Sequence, residues 1–406
     1  MKLVVPILLG LCLMLFAACS EDNMPEPDQP SAFLKFYGGN ADQACNDVLV
    51  LADGGFLLLG KTNSFSGVGN EDWYLIRTDA SGNELWSNTF DNAGLNDEGV
   101  KLLALTDGYL LGGNILTADS LQKIMILKTD VDGNETWRNI LKEADNSEES
   151  FSDFGPAISG ETGYVVVGTT SDVDITKNDY DPITDLLDIY TARIEESGDL
   201  RWDVADGFGD LDFGASVEVI GSDYFVTGDA FVSSINSRNL LLINYNTDGI
   251  IIDRNAFGDG FNLKANDTHV LDDGRFLVLG TIETTNQLVI SIPTIEPALA
   301  AGSIITISTA EQLSGKSVVE NADGTLVISA TSTSGDNQNI ILMETDLLGL
   351  INWQQTFGNP DSGDDEAGTV KRHQTSGYVV SGKFDISTNL MGGLLRVNSN
   401  GELVPE

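Results

Sequence analysis

The chain has 406 residues, and its 62 Asp plus Glu against 21 Lys plus Arg give a formal charge of −41 at pH 7. So acidic a surface repels phosphate backbones and anionic headgroups, which argues against nucleic acid as a partner. The length allows a sizeable hydrophobic core, and a single cysteine beyond residue 19, Cys45, leaves no intrachain disulfide to stabilise it.

In chain order, Lys2 precedes an apolar run from Leu3 to Phe16, too short to span a bilayer but suited to the hydrophobic region of a secretion signal. The run ends in Phe16-Ala17-Ala18-Cys19, which resembles a bacterial lipobox, and Ser20-Glu21-Asp22-Asn23 resembles the acidic export signal of surface lipoproteins in Bacteroidetes-type bacteria. These resemblances imply that residues 1–18 are removed, that Cys19 is acylated, and that residues 19–32 form an acidic Pro-rich tether to the outer membrane at the cell surface. The tether from Ser20 to Ala32 reaches at most roughly 43 Å. Cys45 opens a predicted strand and reads as a small buried hydrophobe.

From residue 33 the chain repeats. A Gly-bearing turn runs into an apolar strand at Phe56, Tyr109, Tyr164, Tyr224, Phe276, Leu326 and Tyr378, at intervals of 53, 55, 60, 52, 50 and 52 residues. So regular a period means one supersecondary unit used seven times. The first unit reads as four short strands: Asp47 to Ala52, Phe56 to Lys61, Trp73 to Thr78, and a last one ending Trp86 to Phe90, with Asp53-Gly54-Gly55 and Asp79-Ala80-Ser81-Gly82-Asn83 as turns. No unit shows helical three-four spacing, so the chain is all-β. Four strands cannot bury both faces alone, whereas units stacked around an axis can.

Closure is also written in the sequence. A turn glycine precedes a tryptophan by four residues in four units, Gly82 and Trp86, Gly133 and Trp137, Gly198 and Trp202, Gly349 and Trp353, but the seventh unit ends before its outer strand. Trp353 to Gly358 aligns with Phe33 to Gly38, so the first strand is expected to complete the last blade and remove the open edges. On these residues the chain resembles the seven-bladed β-propellers of secreted bacterial proteins with Asp-Gly-Gly-Tyr and Thr-Asp-x-x-Gly-x-x-x-Trp repeats, from about Phe33 to Val404, the fifth unit being degenerate after Ile292. The Asp79 to Trp86 segment is also similar to the tryptophan-docking motif of pyrroloquinoline-quinone enzymes, in which the tryptophans pack between blades, but the vicinal cysteine pair of many of those enzymes is missing.

If the strand before Asp53 is innermost, the linkers between blades lie on one face, the top. Those linkers carry Asp42, Asp97 and Glu98, Asp153, Asp210 and Asp212, Asp259, and Asp361, Asp364, Asp365 and Glu366. Carboxylates converging from several loops could hold Ca²⁺ or accept hydrogen bonds from sugar hydroxyls, while Asp and Gly also populate tight turns for local reasons. Asp42, Asp97, Glu98, Asp153, Asp212, Asp364 and Asp365 are therefore the candidate ligand or cation residues, with Phe65, Phe208, Phe213 and Tyr180 as candidate sugar-stacking rings. The loop from Thr170 to Asp188 is the expected specificity loop. Two histidines, His269 and His373, lie in different units, and no Gly-x-Ser-x-Gly, Gly-Lys-Ser or His-Glu-x-x-His motif occurs. The sequence thus reads as a monomeric, surface-anchored, non-enzymatic platform for protein or glycan without a cofactor. The alternative is a propeller glycoside hydrolase or lyase that uses top-face carboxylates.

Overall fold

The computed structural model describes residues 32–65, 69–171, 186–208, 210–232, 236–258, 260–296, 298–332, 337–358, 363–386 and 389–404. The signal segment, Cys19 and the tether lie outside these residues, as do Tyr180, Asp259, Asp361 and most of the Thr170 to Asp188 loop. The described chain forms seven four-stranded antiparallel sheets, the blades of a β-propeller. The inner strands are Gln43–Val50, Glu98–Ala104, Glu149–Pro156, Leu211–Ile220, Leu263–Val270, Leu313–Glu320 and Glu366–Arg372.

The last blade pairs its own three strands, Glu366–Arg372, Tyr378–Ile386 and Asn389–Val397, with Phe33–Tyr37 as the fourth. Phe33 lies opposite Arg396 and Tyr37 opposite Gly392. The ends of the propeller are thereby sealed, as the sequence implies.

The hydrophobic core is divided among the seams. Seven buried clusters occur, each drawn from two neighbouring blades; Leu57, Leu59, Trp73 and Leu75 of the first blade, for example, pack with Leu111, Met125 and Leu127 of the second. This explains why the second and third strands are apolar without alternation. Phe56, Leu57, Leu58 and Leu59 are all fully buried because each face of the strand meets an adjacent blade. Cys45 belongs to one such seam, and burial pushes its thiol up to about 12, which leaves it unreactive at neutral pH.

The tryptophan motif is the outer lock between blades. The turn glycines Gly133, Gly198, Gly249 and Gly401 have φ between 73 and 90°, and a Cβ on any of them would meet the ring of Trp86, Trp137, Trp202 or Trp353 from the preceding blade. Each glycine supplies both the left-handed turn and the flat seat for the indole. The Asp of the motif fixes the turn: Asp79 Oδ1 accepts the amides of Ser81 at 2.9 Å and Asn83 at 2.8 Å. Phe33 takes the tryptophan position against Gly82, so the N-terminal strand joins the same ring of locks. In the fifth blade the outer strand shrinks to Ile305–Thr306, and Ile305 stands against Gly349. Pro293, just past the third strand Gln287–Ser291, lacks the N–H that would continue the ladder.

Candidate functional site

Each inner strand carries one β-bulge near its top, at Asn46, Val100, Ser152, Ala215, Asn266, Lys316 and the pair Gly368 and Thr369. The bulges splay the inner strands and open a funnel of about 670 Å³ on the axis, within the usual range of roughly 300–1,000 Å³ for small-molecule sites. Just below, side chains bind one blade to the next. Asp47 accepts the Leu102 amide at 2.7 Å, Asp153 the Val217 amide at 3.2 Å and Asp267 the Val318 amide at 3.0 Å, while the Thr369 hydroxyl takes the Val48 amide at 3.2 Å.

A second set of links surrounds the mouth. The residue after the second-strand glycine, or after Ala330, accepts an inner-strand amide of the following blade: Asn114 from Phe151 at 2.7 Å, Thr169 from Gly214 at 3.1 Å, Asp229 from Ala265 at 3.0 Å, Thr281 from Gly315 at 3.1 Å and Thr331 from Ala367 at 3.1 Å. Lysines hold this position in the first and last blades, Lys61 and Lys383, and form ion pairs with Glu71 and Glu366 at 3.1 and 2.7 Å.

The linker carboxylates Asp42, Asp97, Asp212 and Asp365 stand at blade seams with oxygens committed to backbone amides, whereas Asp153 lies on its inner strand just past the bulge. Asp42 accepts from Leu390 at 2.9 Å. Asp97 accepts from Asn92 at 2.6 Å and Leu116 at 3.1 Å, and burial pushes its carboxyl up to about 7. Asp212 accepts from Phe208 at 2.9 Å and Asp365 from Asp385 at 2.7 Å, both fully or nearly fully buried. Glu98 takes the Asn46 amide at 3.0 Å, and Asp153 takes the Ser216 hydroxyl at 2.7 Å with the Lys101 ammonium 3.4 Å away. Asp42 and Asp364 are the exposed ones of these. In the third blade the equivalent acid is Glu149, sealed with Lys123 in an ion pair of 2.8 Å. Among the described residues no three His, Cys, Asp or Glu side chains converge as a metal site. The candidate aromatics are likewise separate: Phe65 lies 5.6 Å from the Tyr74 ring, Phe208 is exposed in another blade, and only Phe213 lines the funnel, with the Arg238 guanidinium 4.7 Å over its face.

The funnel itself reverses the charge of the chain. Lys101, Lys264, Lys316 and Arg238 line it, against Asp229, Asp267 and Glu366. Asp229 is paired with Arg238 at 3.2 Å, and burial pushes its carboxyl up to about 7 despite that neighbour. Asp267 and Glu366 are engaged as described. Lys264 and Lys316 form no hydrogen bond or ion pair among the described residues, and both are exposed to the cavity. Enclosure within the fold, followed by the charge of Lys101, lowers the Lys316 ammonium below its ordinary value. Ser150, Ser314 and Gln338 also present side chains to the funnel without partners among the described residues.

Two residues below Ser216 on its inner strand, Glu218 carries a carboxyl pushed up to about 8 by burial and by Asp153 and Asp267, so it holds its proton at neutral pH. His269 stands two residues below Asp267, its imidazole lowered by burial. His373 lies elsewhere, 3.3 Å from Arg396, lowered to about 4 by burial and that charge.

No family model and no curated protein matches the chain. Solved structures of similar architecture include puromycin hydrolase, 12% identical with a TM-score of 0.49 over 84% of this chain and 50% of that one. The β-propeller domain of the Trilobed protease from Pyrococcus furiosus is 11% identical, with a TM-score of 0.49 over 89% and 94%. Endo-arabinase from Bacteroides thetaiotaomicron is 12% identical, with a TM-score of 0.35 over 61% and 98%. The chain spans half the length of puromycin hydrolase. The presence of hydrolases among these propellers corrects the expectation that the protein is not an enzyme: the architecture carries no argument against catalysis.

Proposed function

We propose that this protein binds a glycan in the axial funnel, held at the bacterial cell surface by a lipid on Cys19. The observation that carries the reading is the contrast in polar bonding at the top face. Linker and bulge side chains such as Asp97, Asp212, Asn46 and Asn266 are hydrogen-bonded within the fold, whereas Ser150, Ser314, Gln338, Lys264 and Lys316 point unpartnered donors and acceptors into one cavity. A polyol can satisfy such groups from many directions. The test is isothermal titration calorimetry against a panel of oligosaccharides, with Ala215→Trp as a plugged variant. Binding by the native chain, lost in the plugged chain at unchanged melting temperature, supports the reading. Equal binding by both places the ligand outside the funnel and ends it. For the anchor, Cys19→Ser should release the protein from membranes in cell fractionation; retention there would refute the anchor.

A second reading follows from Glu218. A carboxyl that is still protonated at neutral pH below a polar cavity has the property a general acid needs. Product analysis on each glycan that binds, with Glu218→Gln beside the native chain, decides it: turnover abolished by that change supports catalysis, and binding without products rejects it.

A further inference from the structure

We infer that the glycan taken by the funnel is anionic, its carboxylate or sulfate groups recognised by Lys264 and Lys316. The inference rests on the glycan-binding reading and adds the ligand's charge. Acids outnumber bases by 62 to 21 in the chain, so a random patch is expected to be acidic, yet the funnel lining holds four cations and three acids. The local count is what a ligand meets, since charges farther away than about 8 Å are largely screened at physiological ionic strength.

Each funnel acid has a defined partner: Arg238 for Asp229, the Val318 amide for Asp267 and Lys383 for Glu366. Lys101 is matched by Asp153 of the next blade at 3.4 Å. Two ammonium groups, Lys264 and Lys316, form no ion pair among the described residues, although Lys264 acts at longer range on Asp229.

Their positions argue against a merely structural role. At the bulge level, Asn46 donates to the Gly99 carbonyl at 2.8 Å and Ser152 to the Gly214 carbonyl at 2.7 Å, while the Thr281 hydroxyl donates to the Asn266 amide oxygen at 2.6 Å. Lys316 occupies the equivalent place in its blade and makes no such bond among the described residues. Lys264 lies opposite Thr281, at the level where other blades carry Ala44, Ser150 and Ser314. Enclosure and the charge of Lys101 disfavour the Lys316 ammonium more than the carboxylates of Glu98, Asp47 and Asp267 favour it, none of them within ion-pair distance, and charge-assisted hydrogen bonds to an arriving anion are about twice as strong as neutral ones. The flanking hydroxyls of Ser150 and Ser314 and the Gln338 amide suit sugar hydroxyls.

The experiment is calorimetry with four probes: an oligogalacturonate, a chondroitin sulfate oligosaccharide, a neutral arabino-oligosaccharide and poly-glutamate. Binding of one or both acidic sugars is expected; because chondroitin sulfate carries carboxylates as well as sulfates, preference for it over the oligogalacturonate assigns a sulfate contact, and the reverse preference a carboxylate one. Lys264→Met and Lys316→Met should each weaken that binding about tenfold, the scale of one charge-assisted contact. Melting curves of both variants establish that they are folded. A neutral sugar bound as well as the acidic ones, and indifferent to both substitutions, overturns the inference while leaving funnel glycan binding intact. Preference for poly-glutamate overturns it in favour of a peptide. Failure of every sugar, neutral and acidic, removes the glycan reading and the inference together.

Discussion

Two sets of charged side chains share the top face and do opposite things. The linker acids, Asp97, Glu149, Asp212 and Asp365, are buried and bound to backbone amides or, for Glu149, to a buried lysine. The funnel lysines, Lys264 and Lys316, are exposed and bound to nothing among the described residues. Charge density alone favours the acids as the ligand site, because there are more of them. Hydrogen-bond satisfaction favours the lysines: a carboxylate that already accepts two amides has little left for a ligand, whereas an ammonium without a partner has all three donors free.

The sharpest way to break this comparison is to remove Glu149. Lys123 is buried and donates to the Asp145 carbonyl at 3.0 Å, the Ser147 carbonyl at 2.6 Å and Glu149 at 2.8 Å. Glu149→Ala would leave the ammonium buried without its counter-charge, a loss of about 3–5 kcal/mol by the usual cost of breaking a sealed pair. Chemical denaturation measures it. A loss below about 1 kcal/mol would mean that the linker acids do not hold the blades together.

A smaller effect is expected at the outer locks. In Gly198→Ala the new Cβ would come 2.7 Å from the Trp137 ring on a backbone with φ of 90°. Both strain and overlap oppose it, so a loss of about 1–3 kcal/mol is expected in the same assay. Gly324→Ala is the control, since its φ of 82° is similar but nothing stands within 4 Å of the added methyl. Equal losses in the two variants would show that indole packing adds nothing to backbone strain.

Much of this architecture was legible because it is made of local patterns repeated at a fixed interval. The turn glycines, the tryptophans four residues on, and the match of Phe33 to Trp353 gave blade number and closure directly. The site was less legible for a physical reason. Funnel lysines stand at different levels of their inner strands, Lys264 two residues before the bulge, Lys316 on it and Lys101 one residue past it, and they precede their second strands by twelve, ten and eight residues. Their kinship is invisible in linear spacing. The linker acids, in contrast, recur visibly beside glycines, but a sequence does not say whether a carboxylate's oxygens are already occupied. The sequence does carry one further signal, the polar residue immediately after the second-strand glycine, seen at Asn114, Thr169, Asp229 and Thr281, which marks a bond to the next blade.

The pH dependence of stability distinguishes the two regions further. Asp97 in a linker, Asp229 at the funnel wall and Glu218 below it have carboxyls pushed up to about 7, 7 and 8, each chiefly by burial. A raised folded-state value means that the folded chain holds the proton more tightly than the unfolded chain. The stability so contributed is complete below about pH 4 and is lost as pH rises through 7 to 8. The melting temperature is therefore expected to fall by several degrees between pH 6 and pH 9, and Asp97→Asn should flatten part of the slope without altering glycan binding. A flat or rising profile for the native chain would contradict the burial argument.

The smallest expected effect on stability is the most discriminating. Lys264→Met and Lys316→Met each remove a charge that has no partner among the described residues, keep most of the apolar stem, and in the second case relieve repulsion from Lys101. Exposed groups outside any network usually change stability by no more than about 0.5 kcal/mol, so both variants should unfold at nearly the native denaturant midpoint, with Lys316→Met equal to it or slightly above. A loss of 2 kcal/mol or more, on the order expected when a structural contact is removed, would place these lysines in the same class as the linker acids. An unchanged midpoint together with weakened glycan binding would separate the regions completely, one serving the fold and the other its ligand.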